Sequence, residues 1–209
     1  MTRLPSGIYA IVNPGMRLDV SAVELARRAL SAGVRVIQLR AKNMAAGEMC
    51  ELARKMTGLC REHDGLFIVN DRLDVALAAD AHGVHVGQDD LPLEAARRLA
   101  PEDFVIGVST HSLEEARQAE NAGADYIGFG AMYETLTKED VTPPRGKEGL
   151  AEVVASVSVP VIAIGGIKAE HIKEIKEAGV AGAAVISALI SRADPQAAAR
   201  ELVHEWEAA

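Results

Sequence analysis

Val161-Ile162-Ala163-Ile164, followed at once by Gly165-Gly166, is the stretch whose reading decides the fold. A strand with one wet face alternates apolar and polar residues. A continuous apolar run instead fits a strand of a parallel sheet covered on both faces. Similar short runs, rich in β-branched residues, recur on either side of it. They are Ile8–Val12, Val36–Arg40, Leu66–Asn70, Gly83–Gly87, Val105–Ser109, Tyr126–Gly130 and Ala183–Ser187, with the first run itself extending over Pro160–Gly165. Between them lie segments of helical periodicity, among them Ser21–Ala32, Gly47–Glu62, Ser112–Ala122, Glu170–Ala178 and Pro195–Trp206. Ser112 and Glu115 have the spacing of a capping box, and Gly33, Gly123 and Gly179 stand where helices end.

Eight β-then-α units without a break in composition predict a single-domain α/β protein, a (β/α)8 TIM barrel. A doubly wound open sheet also alternates strand and helix. It is disfavoured because Val12-Asn13-Pro14-Gly15 follows the first strand, where a glycine-rich dinucleotide turn belongs. At 209 residues the barrel must be compact beside the usual ~250, with short helices after strands three and four. One segment, AMYETLTKEDVTPPRGK from Ala131 to Lys147, lacks any period. A connection of that length inside a compact domain is usually functional, and it follows the sixth strand on the rim where barrel enzymes keep their sites.

Composition narrows the function. With 22 basic and 30 acidic side chains the net charge is −8, which leaves no general basic surface for nucleic acid. Apolar residues at 49% and charged residues at 25% describe a packed globular protein. No stretch approaches ~18 uninterrupted apolar residues, so no membrane span is expected, and the N-terminus carries no apolar leader. Cys50 and Cys60 fall in one helical segment about 15 Å apart, too far for a disulfide. A cytoplasmic protein with reduced thiols is the expectation, and homo-oligomerisation is left open.

Polar residues cluster at strand ends. Gln38, Arg40 and Lys42 share one side of the second strand by alternation. Asn70-Asp71-Arg72 ends the third, Gly87-Gln88-Asp89-Asp90 the fourth and Ser109-Thr110-His111 the fifth, while Thr135, Thr137 and Lys138 lie in the long segment. Carboxylates on neighbouring strands three and four suit one Mg²⁺, which takes one or two carboxylates and completes its shell with phosphate oxygens and water. Asp71 supplies one, and Asp90, with Asp89 as alternative, the other. Arg40, Lys42 and Lys138 bring positive charge from separate strand ends, as a polyphosphate requires. Gly165-Gly166 after strand seven and Ile186-Ser187 after strand eight stand where barrels bind a phosphate monoester through backbone N–H groups.

Less eventful readings accompany these. Asp71 and Asp90 are each placed to cap a helix. Arg40 and Lys42 are compatible with structural ion pairs, and Gly165-Gly166 with a tight turn. His82 and His85 point to opposite faces of a strand and cannot share a metal, so His85 reads as a packed or supporting residue.

The motifs QLRAK (38–42), FIVNDRLDVAL (67–77), GVHVGQDDLP (83–92), IGVSTH (106–111), GADYIGFG (123–130), TLTKED (135–140) and PVIAIGGI (160–167) occur in this order over nearly the whole chain. Together they resemble the thiamin phosphate synthase family of (β/α)8 enzymes. The resemblance implies coupling of two small phosphorylated substrates: a hydroxymethylpyrimidine diphosphate loses pyrophosphate, and a thiazole phosphate nitrogen attacks the pyrimidine methylene through a dissociative route. It further implies that Asp71 and Asp90 hold Mg²⁺, that Arg40, Lys42, Asn70 and Lys138 grip pyrophosphate, and that Gln38 orients the pyrimidine. Ser109 then lies beside the reacting centre, and Thr135, Thr137, Gly166, Ile186 and Ser187 bind the thiazole phosphate. Arg40, Ser109 and Lys138 carry the catalytic roles.

Four positions depart from the family pattern. Ala131 and Glu134 replace prolines, and Asn13-Pro14 stands where Thr-Asp is usual. The related thiazole tautomerase, with His111 as acid–base, is the alternative enzyme. A non-catalytic barrel binding thiazole or thiamin phosphate is the alternative outside catalysis.

Overall fold

The computed structural model describes residues 4–134 and 144–209. Eight parallel strands close into a barrel in chain order. They are β1 (Gly7–Val12), β2 (Val36–Leu39), β3 (Leu66–Asn70), β4 (Gly83–Val86), β5 (Val105–Thr110), β6 (Tyr126–Phe129), β7 (Val161–Ile164) and β8 (Gly182–Val185). The helices are α1 (Ala22–Ser31), α2 (Ala46–Glu62), α3 (Leu73–Ala78), α4 (Leu93–Leu99), α5 (Leu113–Asn121), α6 (Gly146–Ser156), α7 (Ile172–Glu177), α8 (Ser187–Ile190) and α9 (Pro195–Ala208). The expected barrel is thus present, and α3 and α4 are short, with six and seven residues.

Local chemistry sets the helix ends. The Ser21 hydroxyl accepts the Glu24 N–H at 3.2 Å, and Asp194 accepts the Gln196 and Ala197 N–H groups ahead of Pro195. Gly33, Gly123 and Gly179 take positive φ just past α1, α5 and α7, as glycine does after a helix. Ser112 caps α5 through the Glu115 N–H, but the return arm differs from the expected capping box. The Glu115 carboxylate accepts the N–H of His111 at 2.7 Å, one residue before the cap. The segment expected as one helix over Glu170–Ala178 is a 3-10 turn, Ala169–His171, running into α7. Within the long segment expected over 131–147, α6 already begins at Gly146, and residues 135–143 lie outside the described residues.

Strand alternation produces two distinct cores. Outward residues such as Ile8, Ala10, Val12, Ile37, Leu39, Phe67 and Val69 pack against the helices. Tyr9, Ile11, Val36, Ile68, Val105, Tyr126, Ile162 and Ala184 fill the inside of the barrel. Both faces are buried, which is why the strands read as continuous apolar runs. Beside Tyr126, at the facing position of β5, stands Gly107. A Cβ there would meet the Tyr126 ring at 2.1 Å, and one on Gly128 would meet His85 at 3.2 Å. The large polar rings inside the barrel therefore depend on neighbours with no side chain.

Tyr126 is fully buried and cannot swing into solvent to accommodate an added methyl. Gly107→Ala is expected to lower stability by about 1–3 kcal/mol, the usual cost of overpacking a close-packed core. Chemical denaturation of the two proteins measures this directly, and equal midpoints would show that the ring has room to move.

Candidate functional site

The barrel opens at the C-terminal ends of its strands into a cleft that is open to solvent at its mouth. Inward positions of β2 to β5 bring Gln38, Arg40, Asn70, His85 and Ser109 to it. Tyr9 and Tyr126 form its polar floor, while Ile11, Ile162, Ile164, Ala184 and Ile186 give an apolar wall from β1, β7 and β8. The polar half and the apolar half of the rim thus come from opposite arcs of the barrel.

Five of these side chains form one hydrogen-bonded run. Gln38 Nε2 donates to the Tyr9 hydroxyl at 2.8 Å, and the Tyr9 and Tyr126 hydroxyls are 2.8 Å apart. His85 Nδ1 lies 2.9 Å from the Tyr126 hydroxyl, and His85 Nε2 lies 2.9 Å from Ser109 Oγ. Burial pushes both phenols well above the ordinary tyrosine range, so they stay protonated. His85 is buried and engaged at both nitrogens, in keeping with its expected supporting role.

At the ends of β3 and β4 the two aspartates approach each other. Asp71 takes a left-handed conformation at φ 63° just past the strand, a geometry that costs a non-glycine residue about 1 kcal/mol. Neither aspartate caps a helix. The caps of α3 and α4 are Arg72 and Pro92, without side-chain bonds, and the Asp90 carboxylate holds the Gly87 N–H at 2.7 Å. Burial, then the hydrogen bond and charge of Asp90, push the Asp71 carboxyl up to about 6, with Lys42 and Arg40 pulling it the other way. Lys42 Nζ sits 3.8 Å from Asp71, so it is paired, while Arg40 makes no ion pair within 4 Å among the described residues. Asp89 is exposed. Among the described residues no cluster of three metal-ligating side chains forms, which leaves the Asp71–Asp90 pair as the acidic centre.

The β7–β8 side is built on backbone. Gly165 and Gly166 have φ of 101° and 66°, and the chain leaving β6 crosses directly over them. Met132 N donates to Ile164 O at 2.9 Å and Tyr133 N to Gly165 O at 3.0 Å. A Cβ on Gly166 would meet Glu134 O at 2.6 Å. The two glycines thus admit both the turn and the crossing chain. Tyr133 stacks on His171 with ring centroids 3.8 Å apart and donates to Glu174, which roots the long segment on α7. Glu134 is exposed, and Ser187 opens α8 on the rim beside Ile186.

Of the residues singled out in the sequence, Gln38, Arg40, Asn70, Ser109 and Ile186 line the cleft, and Lys42, Asp71 and Asp90 stand together at its edge. Gly166 and Ser187 occupy the opposite rim. Thr135, Thr137 and Lys138 lie outside the described residues. His111 does not line the cleft, and its Nδ1 faces Glu115 at 3.2 Å. Sequence reasoning missed Tyr9 and Tyr126, whose positions in apolar strands give no sign of a shared bond.

A family model described as thiamine monophosphate synthase matches residues 8–189. The chain belongs to the thiamine monophosphate synthase family. A thiamine-phosphate synthase from Archaeoglobus fulgidus is 52% identical over 180 residues, spanning 86% of this chain and 84% of the relative. One from Methanospirillum hungatei is 47% identical over 195 residues, spanning 93% and 95%. The solved structure of thiamine phosphate pyrophosphorylase from Pyrococcus furiosus superposes with a TM-score of 0.89 at 42% identity, covering 97% of this chain and 96% of the other. As a member of the thiamine monophosphate synthase family, the protein is an enzyme, a transferase. Among the described residues no helix is long and apolar enough to cross a membrane.

The Asp71–Asp90 pair has a consequence for stability. A carboxyl that binds its proton more tightly in the fold than in the unfolded chain favours folding below the unfolded value of 3.8, and that support is lost as pH rises through about 6. In metal-free buffer Asp71→Asn is therefore expected to stabilise the protein by about 1–3 kcal/mol above pH 7 and to lose this advantage near pH 4. Thermal unfolding of both proteins across that range tests it. A variant less stable at pH 7.5 contradicts the assignment.

Proposed function

We propose that the protein makes thiamin phosphate from hydroxymethylpyrimidine diphosphate and hydroxyethylthiazole phosphate, with release of pyrophosphate. The observation that carries this reading is the convergence of Arg40, Asn70 and Ser109 on one cleft with the Asp71–Asp90 pair at its edge. A cleft with a cationic, acid-bearing side and an apolar side suits a substrate with a diphosphate at one end and an aromatic ring at the other. Membership of the synthase family supports the same assignment.

In this reading the carbon–oxygen bond to the diphosphate breaks as charge builds on the departing pyrophosphate, and catalysis is mainly electrostatic stabilisation of that leaving group. The thiazole nitrogen then forms the carbon–nitrogen bond with its own lone pair, so no general base is required. Arg40, Lys42, Asn70 and Lys138 bind the pyrophosphate, and Gln38 and Ser109 orient the pyrimidine. Thr135, Thr137, Gly166, Ile186 and Ser187 hold the thiazole phosphate, the last three on the backbone-built rim.

The acidic pair fits a divalent cation. Asp90 raises the proton affinity of the Asp71 carboxyl here, and a dication relieves that repulsion as a proton does. Asp71 and Asp90 would hold Mg²⁺, which when bound neutralises charge on the diphosphate oxygens. Thiazole tautomerisation through His111 is less well supported, since that side chain is turned to Glu115 outside the cleft.

Mixing both substrates with Mg²⁺ is expected to give stoichiometric pyrophosphate and thiamin phosphate, and chelation is expected to stop both. Asp71→Asn and Lys138→Ala should each lower kcat by roughly 10²-fold or more, the scale for loss of one electrostatic stabiliser. Folded protein that yields no product rejects the function. Near-normal turnover in both variants rejects their roles.

A further inference from the structure

The run Gln38–Tyr9–Tyr126–His85–Ser109 begins and ends in the cleft, and its middle is sealed inside the barrel. Tyr9 is 2% exposed, Tyr126 0% and His85 7%. Each link has a donor and an acceptor, and one end fixes the sense of them all. The Gln38 amide nitrogen only donates, so the Tyr9 oxygen accepts from it and the single Tyr9 proton is directed to Tyr126. Tyr126 then directs its proton to His85 Nδ1. A neutral imidazole accepting at Nδ1 carries its hydrogen on Nε2, and that hydrogen is donated to Ser109 Oγ.

The two ends are thereby left with opposite characters. Ser109, its oxygen occupied as acceptor, has its own O–H free to donate into the cleft. Gln38, which also lines the cleft, has an Oε1 that accepts from none of the described side chains. A ring seated between them meets an acceptor on one side and a donor on the other.

We propose that Tyr9, Tyr126 and His85 are positioning residues. They lock His85 in the Nε2–H tautomer and so fix the cleft as acceptor at Gln38 and donor at Ser109. The substrate class this selects is a heteroaromatic ring with an N–H donor facing Gln38 and a ring-nitrogen acceptor facing Ser109. That part rests on the proposed seat of the pyrimidine. The tautomer lock does not.

The alternative sense of the run is chemically complete as well. With the Gln38 amide turned over, every proton moves to the other partner and Ser109 becomes an acceptor. Two buried phenols are what make the sense cooperative, because a hydroxyl has one proton and must give it one way. Removing one hydroxyl cuts the run without removing the ring that fills the barrel.

Long-range ¹H–¹⁵N NMR of the folded, ligand-free protein reads the tautomer of His85, assigned through His85→Asn. Wild type is expected to show only the Nε2–H form. Tyr126→Phe is expected to show an appreciable Nδ1–H population, with a KM for the pyrimidine diphosphate raised about 10-fold, the scale of one lost hydrogen bond, and an unchanged KM for the thiazole phosphate. Tyr9→Phe, which leaves both Tyr126 and His85 in place, is expected to mix the tautomers as well. An Nδ1–H form in wild type overturns the proposal, as does a tautomer indifferent to both tyrosine hydroxyls. The spectrum is independent of turnover, so an inactive protein with the expected tautomers would count against the synthase reading and leave the lock standing.

Discussion

The hydrogen bond between the Tyr9 and Tyr126 hydroxyls joins β1 to β6 inside a closed barrel. Eight strands leave an interior that side chains must fill, and two phenols are bulky occupants for it. They fit because Gly107 presents no side chain where the Tyr126 ring lies, and Gly128 none where His85 lies. Once both rings are sealed, their hydroxyls need partners, since a buried hydroxyl without one costs several kcal/mol. Gln38 and His85 supply them at opposite ends. The floor of the cleft is therefore a by-product of filling the barrel: Gln38 and His85, which satisfy the phenols, also line the cleft.

Charge is divided on the same lines. The chain carries a net −8, yet the edge of the cleft holds Arg40 and Lys42 beside Asp71 and Asp90. Overall charge governs encounters with extended polyanions, and it disfavours nucleic acid. Over a few ångströms the local groups dominate, because fields from distant surface acids are screened within about 8 Å at physiological salt. An acidic protein whose cleft has cationic side chains at its edge involves no contradiction.

Much of this was legible in the chain. The eight apolar runs, the helix-ending glycines and the strand-end Gln38, Arg40, Asn70 and Ser109 all announce themselves locally. So do Asp71 and Asp90, since charged residues just past apolar strands have nowhere to go but the rim. The interior was not legible, for a physical reason. In a strand buried on both faces the apolar pattern does not say which residues point inward. Tyr9 and Tyr126 are separated by 117 positions, and each looks like ordinary strand material. Gly107 reads as a weak point of a strand until the ring beside it is seen. The return arm from Glu115 was misassigned for a similar reason, because a carboxylate at the right spacing reaches either of two adjacent N–H groups.

Asp71 shows how a site and a fold can pull against each other. A capping aspartate sits in extended backbone, accepts helix N–H groups and is held below the usual carboxylate range. Asp71 does the opposite in each respect: φ is positive, no helix N–H reaches it, and its carboxyl is raised to about 6. Asp64 and Asp80 also have positive φ, but they follow helix ends, where left-handed residues close the last turn. At Asp71 the left-handed residue instead turns the chain from β3 into α3, and an asparagine would turn it equally well without the charge. What the carboxylate adds is negative charge beside Asp90, which raises the energy of the empty fold. A residue whose charge the fold does not need, held next to another of the same sign, is the arrangement expected where a positive partner completes the site.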